Sequence, residues 1–377
     1  MLVGKEVRSI MTTEDYSNNK ILHIIDSLEV GGAERLLVDT VNGLEEFDHH
    51  VISLSDKASL RTSLKGNVKF SSLGFKSKLD TLRCAREIRR YIRENKISVV
   101  HSHLVMGNIL ARLGTPRNVP VFNTLHTLAG ARFFSPRGGW RKWLERFSYR
   151  KRHHLIAVSN EVLSDYRASI GIKGKTTVLY NFVEDKFFVD QSKSFVAGGD
   201  LKAVAVGTLK EAKNFRFLIE AFRHLPPEIS LEIFGDGPLR TELQALIDQL
   251  NVNVKLRGSH PAVETILRNY DLFLMSSLYE GHPIALVEAM ACGLPAVVTD
   301  IPVLREATGN HGLFYTPGNH GEFARMMKDI ASGSIDINPY AAHNLEYANK
   351  IGRKSQYLST LKRLYLDALA DSGTKLP

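Results

Sequence analysis

An α/β chain of two successive Rossmann-like units is the fold class that this sequence predicts. Short aliphatic and β-branched runs alternate with longer helical patterns along most of the chain, as parallel sheets covered by helices on both faces require. The 377 residues, 44% of them hydrophobic, are enough for two domains of ordinary size, each with a core. Residues 190–200, with Gln191-Ser192-Lys193-Ser194 and Gly198-Gly199-Asp200, interrupt the alternation and mark the best linker candidate.

The elements follow in order. Residues 21–25 read as the first strand, and Gly31-Gly32 opens a helix whose apolar residues recur at Leu36, Leu37 and Val41. Val51-Ile52-Ser53-Leu54, Val99-Val100-His101-Ser102, Val121-Phe122-Asn123-Thr124 and Leu155-Ile156-Ala157-Val158 are the further strands of the first unit. The second runs from Ala203-Val204-Ala205-Val206 through Leu231-Glu232-Ile233-Phe234 to Ala296-Val297-Val298, and residues 353–370 read as a last helix. The expected domains are therefore 1–188 and 189–352, with a C-terminal helical segment at 353–377. Ligands of open parallel sheets bind at the carboxyl ends of the strands, so the site is expected there.

The most informative stretch is Glu280-Gly281-His282-Pro283-Ile284-Ala285-Leu286-Val287-Glu288. It follows a short buried strand at 271–277, and Gly281 with Pro283 supplies the break that a strand-to-helix turn needs. Glu280 then precedes the helix and Glu288 lies one turn beyond Ile284, so the two carboxylates approach opposite ends of one small ligand. Backbone NH groups of residues 284–287 would face the space between them and cradle a phosphate. The competing reading is an ordinary βα corner with two solvated acids. Leu286, Val287, Ala289, Met290 and Ala291 weigh against it, because an acid among apolar residues needs a partner and a ribose diol would serve.

With this motif the chain resembles the nucleotide-sugar-dependent glycosyltransferases of family 4, over roughly residues 20–320. Supporting elements are Gly31-Gly32-Ala33-Glu34, Val158-Ser159-Asn160-Glu161, Val178-Leu179-Tyr180-Asn181-Phe182-Val183, the run from Val206-Gly207-Thr208 to Lys213-Asn214-Phe215, and Phe234-Gly235-Asp236-Gly237-Pro238. The resemblance implies a GT-B fold, two Rossmann-like domains facing each other across a cleft, and transfer with retention of anomeric configuration. It also implies that the C-terminal helix crosses back to the first domain. Glu280 would grip sugar hydroxyls, Glu288 the ribose, and Lys213 the diphosphate. His126, just past a predicted strand, would lie near the reacting carbon, ahead of His101 and His103, which could instead shape the acceptor site. Gly281, His282, Pro283, Ile284, Ala285 and Leu286 complete the donor side, with Gly235, Asp236, Gly237 and, from the first unit, Gly32. The chain departs from the family where an arginine usually follows the glycine equivalent to Gly207. Thr208 stands there instead, so one cation is missing, and either Lys210 or the Thr208 hydroxyl is the available substitute.

The implied reaction moves a hexosyl or N-acetylhexosaminyl group from a nucleoside diphosphate sugar, UDP-linked by first choice, to a glycan or lipid-linked acceptor hydroxyl. A GDP-mannose-dependent mannosyltransferase and a catalytically silent sugar-nucleotide binder are the alternatives, the second kept open by Thr208. A sugar-nucleotide epimerase on the same fold is disfavoured by the paired glutamates. No Asp-x-Asp occurs and no histidine and acid group has ligand spacing, so neither metal nor other cofactor is expected.

The net charge of +9 asks for an acidic partner. The densest basic stretch sets Arg132, Arg137, Arg141, Lys142, Arg146, Arg150, Lys151 and Arg152 among Phe133, Phe134, Trp140, Trp143, Leu144 and Phe147. Peripheral contact of Trp140, Arg141, Lys142 and Trp143 with anionic membrane is one expectation, and a solvated helix packing its aromatics inward is the other. No nucleic-acid-binding module accompanies the charge. Two cysteines, no membrane-spanning run and a polar opening at 1–20 lead to the expectation of a cytoplasmic protein, peripheral at the inner face of the membrane.

Overall fold

The structure is a computed structural model that describes residues 19–130 and 139–371. The chain divides into two compact units. The first takes the residues up to Ala157, Tyr166–Thr177, and the C-terminal stretch from Leu358. The second takes Val158–Asp165 and Val178–Tyr357.

The first unit is built on β1 (Lys20–Ile25), β2 (Asp48–Ser53), β3 (Lys69–Ser72), β4 (Val99–His103), β5 (Val121–Leu125), β6 (His153–Ala157) and β7 (Thr176–Val178). They form one seven-stranded sheet in the order β3-β2-β1-β4-β5-β6-β7. The pairs β1–β2, β2–β3, β1–β4, β4–β5 and β5–β6 are parallel. The order reverses between β1 and β4, and at such a switch the loops after the two strands diverge and leave a crevice. One face of the sheet is aliphatic: Leu22, Ile24 and Val100 pack on Ile88, Ile92, Ile109 and Leu110 of helices Thr81–Asn95 and Val105–Gly114. The opposite face carries His23, His101 and His103, all buried, and Tyr365 of the C-terminal helix Lys354–Asp371 reaches His101.

The second unit is built on β8 (Leu201–Val206), β9 (Ile229–Phe234), β10 (Val254–Gly258), β11 (Leu272–Met275), β12 (Ala296–Thr299) and β13 (Leu313–Tyr315). Its six-stranded parallel sheet has the order β10-β9-β8-β11-β12-β13, with the switch between β8 and β11. Both faces are covered, which is why β11 reads as an unbroken apolar run. Leu272 and Leu274 point to a core with Phe217, Leu218 and Phe323, whereas Phe273 and Met275 point to one with Leu286, Met290 and Val303. Each such fully buried side chain contributes about 1.5–3 kcal/mol.

Four strands escape a reading by hydrophobic runs: β3, β7, β10 and β13, the outermost strands of the two sheets. Edge strands bury one side at most, so Lys69-Phe70-Ser71-Ser72 needs no continuous apolar pattern. The 190–200 stretch is irregular, but it is tied down. Lys193 Nζ pairs with Asp271 at 2.9 Å, and the Phe195 NH donates to Asn338 Oδ1 at 2.8 Å.

Candidate active site

Lys213 and Glu280 meet at the switch of the second sheet. Lys213 ends a short turn of helix, Glu211–Lys213, after β8, and Glu280 follows the neighbouring β11. Lys213 Nζ donates to Glu280 Oε1 at 2.6 Å, with side-chain exposures of 16% and 13%. The same carboxylate oxygen accepts from Ser277 Oγ at 2.7 Å, and Ser276 Oγ donates to the Lys213 carbonyl at 2.8 Å, so the two loops are fastened together. Thr208 is exposed on the β8 loop, and its carbonyl accepts from the Lys210 NH at 2.8 Å.

Gly235 and Gly237 are required by backbone packing against that loop. Gly235 has φ +144°, and a Cβ there would overlap the Gly207 carbonyl oxygen; a Cβ on Gly237 would come within 2.6 Å of the Leu209 carbonyl oxygen. The resemblance places these glycines on the donor side, and the neighbour filling the space at both positions is the β8 loop itself. Asp236 is exposed and its Oδ1 accepts from the Gly237 NH at 2.8 Å, closing its own turn.

The helix Ile284–Ala291 begins where the sequence places it, with Glu288 partly buried on it. The expected cradle of free NH groups needs correction. The Ile284 NH donates to the His282 carbonyl at 3.0 Å, and those of Leu286 and Val287 to the Pro283 carbonyl at 3.0 and 3.2 Å. A tight first turn thus takes up donors that a wider helix start would leave open. Beside it, His282 is buried, and neither ring nitrogen has a hydrogen-bond partner among the described residues. Burial pushes its pKa down to about 3, so the ring is neutral, with one donor and one acceptor unmatched.

Two motifs quoted from sequence converge on the same turn. Ser159 Oγ donates to the Gly281 carbonyl at 2.8 Å. Glu306 Oε1 accepts from the Asn160 NH at 2.7 Å, from Asn160 Nδ2 at 2.8 Å and from Tyr180 Oη at 2.9 Å, while the Tyr180 ring lies 5.6 Å from that of His282. Asn160, Tyr180, Arg305 and Glu306 line an open concavity of about 690 Å³. Sequence reading missed Glu306, which sits in an amphipathic helix with no local mark of function.

In the first unit the switch between β1 and β4 holds Asp26, also missed. Its Oδ1 accepts from the Gly107 NH at 2.6 Å, at the first turn of helix Val105–Gly114. Burial outweighs those hydrogen bonds and raises its pKa to about 6. The signal was an acid immediately after a strand, at Ile25-Asp26. Leu104, which precedes the helix, has φ +64°, a strained conformation for a non-glycine residue. Gly32 is the first residue of helix Gly32–Gly43, and the preceding Gly31 is extended. His126 follows β5, partly exposed, with Nε2 3.1 Å from Nδ1 of His103; burial lowers its pKa to about 4. His101 and His103 lie on β4 and are buried.

The basic stretch forms helix Gly139–Ser148, and Arg132, Phe133, Phe134 and Arg137 lie outside the described residues. Trp140 and Leu144 pack on the aliphatic core, and Glu145 is buried against Arg112 at 2.7 Å. Trp143 and Phe147 face outward, 62% and 50% exposed, with rings stacked at 5.1 Å. Arg141 and Arg146 are exposed beside them, and Lys142 is half-buried. The helix therefore divides its aromatics between the two faces.

Two parallel α/β units, each with polar residues gathered where its strand order reverses, define a GT-B glycosyltransferase. The family models named "Glycosyltransferase Family 4" and "Glycosyl transferases group 1" match residues 30–187 and 187–350. The chain belongs to glycosyltransferase family 4. It is 27% identical, over 73% of its length and 79% of the relative's, to the N-acetylgalactosamine-N,N'-diacetylbacillosaminyl-diphospho-undecaprenol 4-alpha-N-acetylgalactosaminyltransferase of Campylobacter jejuni. It is 30% identical to the UDP-Gal:alpha-D-GlcNAc-diphosphoundecaprenol alpha-1,3-galactosyltransferase of Escherichia coli, over 56% of this chain and 60% of that one. Among solved structures, Anabaena Alr3699/HepE in complex with UDP matches with a TM-score of 0.78 at 19% identity, covering 92% of this chain and 100% of that one. No helix among the described residues is long and apolar enough to cross a membrane.

Proposed function

We propose that the enzyme transfers a hexosyl or N-acetylhexosaminyl residue, with retention, from a UDP-linked sugar to a hydroxyl of a lipid-linked glycan in surface polysaccharide or glycolipid synthesis. The observation that carries this reading is the Lys213–Glu280 pair at the β8/β11 switch. It offers an ammonium for a diphosphate and a carboxylate for sugar hydroxyls at the place where such sheets bind ligands. The similar Campylobacter and Escherichia coli enzymes, whose names specify diphospho-undecaprenol acceptors, support the acceptor class. UDP in the Anabaena protein supports the base.

Arrival of donor would move Lys213 from Glu280 to the diphosphate, where negative charge grows as the glycosidic bond breaks, and free Glu280 for the sugar. The unmatched donor of His282 would be satisfied by the same ligand. Glu288 would bind the ribose, with Thr208, Ala285 and the Gly235–Gly237 turn around the nucleotide. The leaving phosphate oxygen would take the acceptor proton on the same face, with no covalent intermediate and no metal in the transfer. The Trp143–Phe147 pair with Arg141 and Lys142 fits a peripheral contact with anionic lipid, which would bring a lipid-linked acceptor to the enzyme.

A panel of uridine, guanosine and adenosine diphosphate sugars in thermal-shift assays without added metal tests the donor. At a hundredfold excess over Kd the right donor stabilises by about 2.7 kcal/mol. A GDP-mannose response alone would replace the UDP assignment, and donor binding with neither transfer to a lipid-linked glycan nor slow hydrolysis would establish the silent binder that Thr208 keeps open. Cosedimentation with anionic liposomes tests the surface. Charge reversal at Arg141 and Lys142 should release the protein, and unchanged sedimentation would remove the membrane contact.

A further inference from the structure

The polar face of the first sheet holds a file of imidazoles. His23 on β1 and His101 on β4 are register partners, and His103 lies two residues further along β4, so all three side chains leave the same face. Ring centroids are 5.7 Å apart for His23 and His101, 4.3 Å for His101 and His103, and 6.0 Å for His23 and His103. One nitrogen of each ring lies within 4.8 Å of one nitrogen of each other ring, and all three residues are buried.

The hydrogen bonds behind this group fix what it presents. His49 Nε2 lies 2.8 Å from the Leu44 carbonyl, which can only accept, so Nε2 carries the proton and His49 Nδ1 is bare. His23 Nε2, 3.1 Å from that bare nitrogen, is then the donor. The neutral His23 ring is left with a lone pair on Nδ1, buried and without a partner among the described residues. Nε2 of His103 is likewise buried and unpartnered, its Nδ1 lying 3.1 Å from His126 Nε2. The third ring, His101, sits between Tyr365 Oη and Thr124 Oγ1, and the Thr124 hydroxyl is the partner that rotation about χ1 moves aside.

We propose that His23, His101 and His103 form a site for one divalent first-row transition-metal ion of the zinc type inside the first unit. Neutral imidazoles suit zinc, copper or nickel, and a ligand histidine whose far nitrogen is held by a hydrogen bond is what such sites use to fix ring orientation. The His23–His49–Leu44 chain is a support of that kind. With bonds of about 2.1 Å, tetrahedral coordination draws the three nitrogens to about 3.4 Å from one another, and a water completes the set. His101 exchanges one hydroxyl partner for the ion. The ion ties β1 to β4 beside the switch and takes no part in transfer. Sequence spacing gave no sign of it, and the proposal departs from the expectation that the chain holds no metal.

The test uses the full chain without a histidine tag, stripped with chelator and reloaded with zinc chloride or, for spectroscopy, cobalt chloride. The expected result is about one equivalent of zinc retained through gel filtration, a higher thermal midpoint reversed by chelator, and visible absorption of four-coordinate cobalt. The variant His23→Gln/His103→Gln should lose all three, and His154→Gln, a partly buried histidine outside the group, should keep them. Retention in the wild type no greater than in the double variant would overturn the proposal and leave a bridging water between His23 and His103. If the double variant does not fold, the wild-type cobalt spectrum decides, and its absence overturns the site equally.

Discussion

Replacing Lys213 and Glu280 separately and together asks whether one ion pair divides its duties between phosphate and sugar. In the free enzyme each side chain satisfies the other at 2.6 Å, with Ser277 Oγ as a second partner for Glu280 at 2.7 Å. A charge-assisted hydrogen bond to a phosphate contributes about 1.5–3 kcal/mol, so Lys213→Ala should weaken UDP binding by roughly 10- to 150-fold. Glu280→Gln keeps the side chain's shape and removes the carboxylate that competes for the ammonium. It should bind UDP at least as tightly as the wild type, while transfer from the UDP-sugar falls by about two orders of magnitude or more. The double variant should bind UDP like Lys213→Ala, because the benefit of Glu280→Gln exists only while Lys213 is present. Calorimetry with UDP, followed by transfer kinetics with the donor identified in the panel, reads both effects. Equal losses of UDP affinity in the two single variants would refute the division and leave the pair as a structural clamp.

Three further outcomes follow from the packing. Gly235→Ala should lower stability by at least about 2 kcal/mol in urea unfolding, since a side chain at φ +144° is strained and meets the Gly207 carbonyl; a neutral effect would mean that the β8 loop yields. Glu145→Leu strands the Arg112 guanidinium, whose salt bridge at 2.7 Å is fully buried, and should cost about 3–5 kcal/mol, whereas the double change Arg112→Met/Glu145→Leu should recover much of it. Asp26 has a folded pKa raised from 3.8 to about 6, so its folded form holds the proton more tightly than the unfolded chain. Stability should therefore decline as pH rises from about 4 to 6, by at most about 3 kcal/mol, and stay lower above that range. Asp26→Asn, which can still accept from the Gly107 NH, should flatten that decline, and an unchanged pH profile of urea midpoints would show that Asp26 titrates normally.

Periodicity and punctuation determined the alternation of strands and helices, the central strands, the strand-to-helix turn after β11 and the helix that begins at Ile284. These are local consequences of a backbone that must bury apolar residues at a period of two or 3.6 and break where Gly and Pro stand. The pairing of Glu280 and Lys213 was legible only as a shared neighbourhood, because both follow strands in quoted motifs. Tertiary structure decided the rest. Strand order set the two switches, and contacts between distant segments brought Glu306 to Asn160 and Tyr180. Register set His23 of β1 beside His101 of β4. Seventy-eight positions separate those two histidines in the chain, and only the parallel pairing of their strands makes neighbours of them, since no propensity or spacing carries information across such a distance.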